Sequence, residues 1–191
     1  MTLTDLLDAG ASFDAEYGGG LSNHRPMALL ALARLGATEA QLNAFAQTYS
    51  RRLQAAPPHS PWPAGDAWAS RLGERGAWPA YRDLFGEWLL HEHSRDVLSQ
   101  TLPRLMQGCG AAAFHGLIRT AYAVQASRRQ ELADALAYWA CRWLDLGAPQ
   151  GAGTVTEPET VLRQLRTVQS DSDRIGQRMK AAAAEIGRAH V

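Results

Sequence analysis

Two histidines, His24 and His115, are the residues of this 191-residue chain whose surroundings best suit chemistry. His24 follows Asn23 in the first turn of an apolar helix, and Ala28, Ala31 and Leu35 share its helical face. His115 follows Phe114, with Ile118, Arg119 and Tyr122 three, four and seven residues further on. Both rings are therefore expected to point inward, into packed layers. A buried imidazole needs a partner, because an unpaired polar group in a core costs about 1–3 kcal/mol. A backbone carbonyl or a carboxylate would make each a structural histidine, whereas a free ring nitrogen would make it a metal ligand. Spacing alone leaves both readings open. Arg119 and Tyr122 flank His115 and are the candidates to orient a substrate oxygen, or else to satisfy buried groups.

The remaining histidines offer less. His91 and His93 lie two apart, on nearly opposite sides of a helix, so they do not chelate one ion there. Glu87, His91 and Arg95 share a face at i, i+4 and i+8, the pattern of a solvated ion-pair stripe. His59 falls in a proline-rich stretch. The Trp residues at 88, 139 and 143 sit at helical spacing and read as packing.

The elements that must position His24 and His115 are helices. Ser22 reads as the N-cap of the His24 helix, Pro26 falls within its first turn, and Gly36 closes it. Met27, Leu29, Leu30, Leu32 and Leu35 make it apolar nearly all round, which predicts a central, buried helix. Thr38 with Gln41 forms a capping box for the next helix, and so short a link implies an antiparallel αα-hairpin. Prolines 57, 58, 61 and 63 exclude helix between Ala55 and Asp66, which then caps a short helix to Leu72. Further helices are expected over about Pro79–His93, from Ser94 with a kink at Pro103, over Ala111–Gln125 and over Arg129–Leu146. Gly147–Gly153 reads as a loop, Thr156 as the cap of a polar helix, and a charged segment begins near Asp173. Residues 1–20 are poorly patterned, and no stretch alternates for long enough to make a convincing strand. The fold class is all-α, a multi-helix orthogonal or antiparallel bundle with αα-hairpins.

Composition narrows the functional classes. Nineteen basic residues balance nineteen acidic ones, and no helix reads as a basic recognition helix, so nucleic acid is not expected as a partner. No run approaches the roughly 18 apolar residues of a membrane span. The first ten residues lack the pattern of a secretion signal, and Cys109 and Cys141 show no paired spacing, so a reducing, cytoplasmic setting is expected. GxGxxG, P-loop, GxSxG and paired Glu-x-x-His patterns are absent. The missing dinucleotide fingerprint argues against a self-contained flavin or nicotinamide domain.

Two segments carry a resemblance. Leu21-Ser22-Asn23-His24-Arg25-Pro26-Met27-Ala28-Leu29, followed by Leu35-Gly36-Ala37, resembles the first motif of the questin oxidase-like family. Ala113-Phe114-His115-Gly116-Leu117-Ile118-Arg119-Thr120-Ala121-Tyr122-Ala123 resembles the second, and Glu131 through Ala137-Tyr138-Trp139 looks like its continuation. The resemblance implies a helical oxidoreductase that uses O₂ on an aromatic or quinone-type small molecule, with NADPH left open as electron donor. It also implies non-haem iron held by several histidines and a lysine-derived carboxylate. His24 and His115 would be two of the ligands, and in an enzyme of this kind Arg119 and Tyr122 are the candidates for the groups that surround those ligands. Members of the family are about twice as long, and after Trp143 this chain offers only His190 and Lys180 of the implied ligand types. Ile186-Gly187-Arg188-Ala189-His190-Val191 matches the translation of a common sequencing adapter. The expected division is therefore 1–20 as an N-terminal segment, 21–184 as a partial helical domain and 185–191 as a tail foreign to the gene. Such a fragment is expected to be inactive alone. The competing class is a non-catalytic helical binding or scaffold protein. Oligomeric state and substrate are not legible.

Overall fold

Alanine-rich sequence between Arg129 and Cys141 forms the helix around which the others gather. In a computed structural model of the chain, every residue from Glu131 to Cys141 is buried. The structure describes residues 1–147, then 157, 159, 160, 163 and 172, and finally 175–188. Among them are α1 (Leu3–Ala9), α2 (Arg25–Arg34), α3 (Glu39–Ser50), α4 (Trp78–His91), α5 (Ser94–Leu105), α6 (His115–Ala126), α7 (Arg129–Cys141) and α8 (Ile175–Arg188). The architecture is all-α, as the periodicity predicts. The expected polar helix after Thr156 lies outside the described residues.

Small side chains explain why α7 occupies the centre. Ala133, Ala135, Ala137 and Ala140 are fully buried and let neighbouring helices approach closely. α4 and α6 pack on α7, and α2 packs on α6. One core cluster joins Trp78, Tyr81, Phe85 and Leu89 of α4 to Leu132, Leu136 and Trp139 of α7. A second joins Leu6, Leu7, Leu29, Leu30, Leu42 and Ala46, with Tyr122 packed at its edge. Gly116 marks the close approach of α6 to α7, since a Cβ there would lie 2.9 Å from the Trp139 Cα.

The central position predicted for the His24 helix is thus corrected. α2 buries Met27, Leu29 and Leu30, but Leu32 is only half-buried and Leu35 is 84% exposed. An apolar helix becomes central only if neighbours cover all its faces, and α2 is covered on one side by α1, α3 and α6. Its end is as expected. Gly36 takes φ +86°, and Gly36 and Ala37 donate to the carbonyls of Ala33 and Leu32 in a Schellman arrangement. The Thr38–Gln41 capping box then starts α3.

Several local expectations change: α6 begins at His115 and not at Ala111, α7 ends at Cys141 and not at Leu146, and the stretch from Asp66 to Leu72 holds only a 3₁₀ turn at Trp68–Arg71. Residues 1–20 are ordered: Thr2 and Asp5 form a capping box for α1. Ser22 is no helix cap but part of a two-residue strand, β2 (Leu21–Ser22), paired antiparallel with β1 (Glu16–Tyr17) in the register Glu16↔Ser22, Tyr17↔Leu21. Gly18, Gly19 and Gly20, all at positive φ, make the turn. Two-residue strands are too short to show alternation. The hairpin delivers the chain to His24 from the side, and Asn23 Oδ1 accepts from the Arg25 N–H to start α2.

Candidate functional site

Backbone built before each helix brings the two histidines together. His24 is the residue before α2, and its N–H donates to the Tyr49 hydroxyl at 3.2 Å, which ties the entry of α2 to α3. Burial pushes the Tyr49 hydroxyl up to about 12, with its contact to Tyr17 adding to the effect. His115 is the first residue of α6 and follows three residues in the left-handed region: Ala112, Ala113 and Phe114 at φ 48°, 51° and 70°. That region costs an L-residue roughly 1–2 kcal/mol, so the turn stores strain that the packing of α6 must hold.

The strained turn aims a carbonyl. His115 Nδ1 lies 2.6 Å from the Ala112 carbonyl oxygen, and His24 Nδ1 lies 2.7 Å from that of Ser22. With both Nδ1 atoms donating to carbonyls, both Nε2 atoms are left as acceptors. Those two atoms lie 2.8 Å apart, in rings that meet edge to face at 89° with centroids 4.7 Å apart. Three contacts need three protons, and two neutral imidazoles carry two. The gap between the Nε2 atoms therefore calls for an added proton or a metal cation. Burial, and then the neighbouring His115, lower the His24 pKa below the ordinary histidine value, which works against the proton.

The expected inward orientation is corrected as well. His24 is exposed and His115 half-buried, so the pair lies at the surface of the described fold; Leu21, Phe114 and Ile118, close to them in sequence, are exposed as well. Both residues sit at helix starts, where the chain approaches from outside the packed layers, and face counts along the helix do not apply there. Among the described residues no group of three or more His, Cys, Asp or Glu side chains is placed to hold a metal. Lys180 is exposed on α8, and His190 lies outside the described residues.

Arg119 and Tyr122 do not join the pair. Arg119 is 3% exposed and grips the Glu131 carboxylate with both Nε and Nη2, at 2.8 and 3.0 Å. Burial alone would lower its pKa, but the Glu131 charge more than offsets that and holds the guanidinium above the ordinary arginine value. Beside it, Asp134 accepts from Arg82 at 2.5 Å and from Gln130 at 2.9 Å. Tyr122 packs on the cluster of Leu6, Leu29 and Leu30. The sequence offered no sign of the carbonyls that orient the rings, nor of Tyr49. Gly116, next to His115, was the one visible hint, since a glycine inside a helix costs about 1 kcal/mol against alanine and stands where close approach requires it.

His91 Nε2 donates to Glu87 Oε1 at 2.9 Å on an exposed face, as its spacing predicts, and His59 Nδ1 lies 2.6 Å from Asp83 Oδ1.

Fold and site together define an all-α protein with a histidine pair mounted where two helices begin. The questin oxidase-like family model matches residues 21–187, most of the chain, and the chain belongs to that family. No curated protein and no solved structure matches it.

Proposed function

We propose that the chain carries part of the active site of an oxidase-type enzyme, an oxidoreductase that uses O₂ on an aromatic or quinone-type small molecule. Membership of the questin oxidase-like family supports the reaction class. The observation that carries the site is the 2.8 Å approach of two imidazole Nε2 atoms whose Nδ1 partners are already fixed. Neighbouring imidazoles on one first-row ion, each bound at about 2.0–2.1 Å, place their nitrogens on the order of 3 Å apart, so this donor set fits. His24 and His115 would hold the ion, with Ser22 and Ala112 supplying the carbonyls that fix ring orientation and raise ligand basicity. Non-haem iron bound there supplies open positions for O₂ and substrate. Two donors are fewer than such a site uses, so further ligands are proposed to come from outside the described residues. The chain by itself is then expected to bind metal weakly and to lack turnover.

Arg119 is assigned to holding α6 on α7, which keeps His115 in place, and not to substrate. Tyr122 supports the α6–α2 contact. NADPH, if used, would need a binding surface that none of the described residues forms as a dinucleotide fingerprint.

The test is an anaerobic titration of the full chain with Fe(II) or its diamagnetic surrogate Zn(II), followed by NMR of the imidazole ring protons. Signals of His24 and His115 should move together along one saturation curve, at lower metal concentration than those of His59, His91 and His93. His24→Ala should abolish the response of His115, and His115→Ala that of His24. Independent responses of the two rings would sink the metal reading. A competing reading, a structural pair in a non-catalytic helical module, draws on the surface position of His24 and predicts that outcome.

A further inference from the structure

Arg25 follows His24 in sequence, but its side chain leaves the histidine pair and turns beneath α1. It is 3% exposed, its Nη1 donates to the Leu6 carbonyl at 2.7 Å, and its guanidinium carbon lies 5.6 Å from the centre of the Phe13 ring. Its Nε is buried without a hydrogen-bond partner among the described residues.

The other interior arginines each touch a carboxylate. Arg119 grips Glu131, and Arg82 contacts Asp134. Arg25 touches none among the described residues, and Glu131 reaches it only through space. A guanidinium buried on one carbonyl and a ring face is a charge still short of its counter-ion. Nη1 is occupied by Leu6 and Nε is closed off from solvent, so Nη2 is the nitrogen left for a charge-assisted hydrogen bond to a carboxylate.

Arg25 lines a cavity of about 640 Å³ between α1 and α3, within the size range of small-molecule sites. Leu6, Phe13, Ala46 and Asn43 also line it, and no aspartate or glutamate does. Asn43 is already committed, since its Nδ2 donates to the carbonyls of Met1 and Glu39. The cavity thus offers an apolar stretch of wall, a polar rim of Ser12, Gln47 and Ser50, and the Arg25 guanidinium with no carboxylate beside it; Met1 also lines it. Neither His24 nor His115 lines it.

We propose that this cavity binds a small organic monocarboxylate, its carboxylate paired with Arg25 and its apolar body lying along Leu6, Phe13 and Ala46. A neutral ligand of the same shape would leave the guanidinium unpaired, and an inorganic anion would leave the apolar stretch of wall uncovered. The site stands independently of the metal reading, because it shares no side chain with it.

The experiment is calorimetric titration of the full chain with octanoate, octanol and inorganic phosphate, with circular dichroism of every variant. Octanoate should bind saturably, at least tenfold more tightly than octanol or phosphate, and should raise the melting temperature. Arg25→Met should lower octanoate affinity at least tenfold. Ala44→Trp fills the cavity from an exposed position without removing the guanidinium, and should lower affinity to a similar degree with helicity kept. No saturable octanoate binding, equal binding of octanol or phosphate, or wild-type affinity in a folded Ala44→Trp variant overturns the proposal.

Discussion

The Nε2 atoms of His24 and His115 face each other at 2.8 Å while the Nδ1 atom of each ring is held by a backbone carbonyl. The pair is short of one positive charge, and that shortage distinguishes it from two histidines that happen to touch. It also sets the pH behaviour of the metal-free chain. His24 has a lowered pKa, chiefly through burial and then through His115, so the folded state takes up its proton less readily than the unfolded state. The sign follows from linkage: this contribution to stability is complete above the unfolded value of about 6.5 and is lost as pH falls toward the depressed folded value. Urea denaturation of the wild type should show stability falling below about pH 6.5, and His24→Gln should flatten that fall. An unchanged slope in the variant would remove His24 as its source.

Gly116 should tolerate no side chain. An added Cβ would meet the Cα, Cγ and Cβ of Trp139 at 2.9–3.0 Å, and backbone cannot swing aside as a flexible side chain can. Gly116→Ala gains helix propensity of about 1 kcal/mol but pushes α6 from α7, with a net loss on the order of 1–3 kcal/mol. Denaturant midpoints measure the loss. A stabilised variant would show that the two helices are not in close contact here.

Removing one member of the Arg119–Glu131 pair should be far worse than removing both. Both side chains are more than nine-tenths buried, so a lone survivor keeps its desolvation cost without its partner. Arg119→Met or Glu131→Met should each cost about 3–5 kcal/mol, and the double variant Arg119→Met/Glu131→Met should recover a good part of it. Additive losses in the double-mutant cycle would mean that the two groups do not interact.

Ala113 offers the opposite case. It sits at φ 51° without a side-chain cap to offset the strain. Ala113→Gly should relieve roughly 1 kcal/mol of left-handed strain, partly offset by the added freedom of the unfolded chain. The melting temperature should rise or hold steady. A clear fall would show that the turn before His115 is not left-handed.

The two thiols should differ sharply. Cys141 is fully buried on α7, and burial drives its pKa far above the ordinary thiol value, whereas Cys109 is partly accessible. Native-state alkylation with iodoacetamide should therefore label Cys109 and spare Cys141 until the chain unfolds. Mass spectrometry of the labelled peptides reads this directly.

Much of the helical frame was legible because local signals agree with it. Thr38 and Gln41 announce a helix start, Gly36 a helix end, and prolines 57 to 63 a stretch without helix. Which helix would be central was not legible. α2 has the richer run of leucines, yet α7, with Glu131 and Asp134 in its sequence, is the one entirely buried. Charges on a helix read as a solvated face unless their partners are known, and here Arg119 and Arg82 arrive from α6 and α4. Arg119 was misplaced for the same reason: its spacing from His115 is visible in the sequence, but the carboxylate that claims it is not.

By itself the sequence determined the all-α class, most helix limits, and the family through the segments around His24 and His115. Those features depend on residue identity and near neighbours, which one chain records. Tertiary structure alone decided that the two rings meet at their Nε2 atoms, at the surface and not in the core. Their orientation is set by the carbonyls of Ser22 and Ala112 and by the close approach of α6 to α7. Carbonyl direction belongs to the path of the backbone, and that path is fixed only when the helices pack.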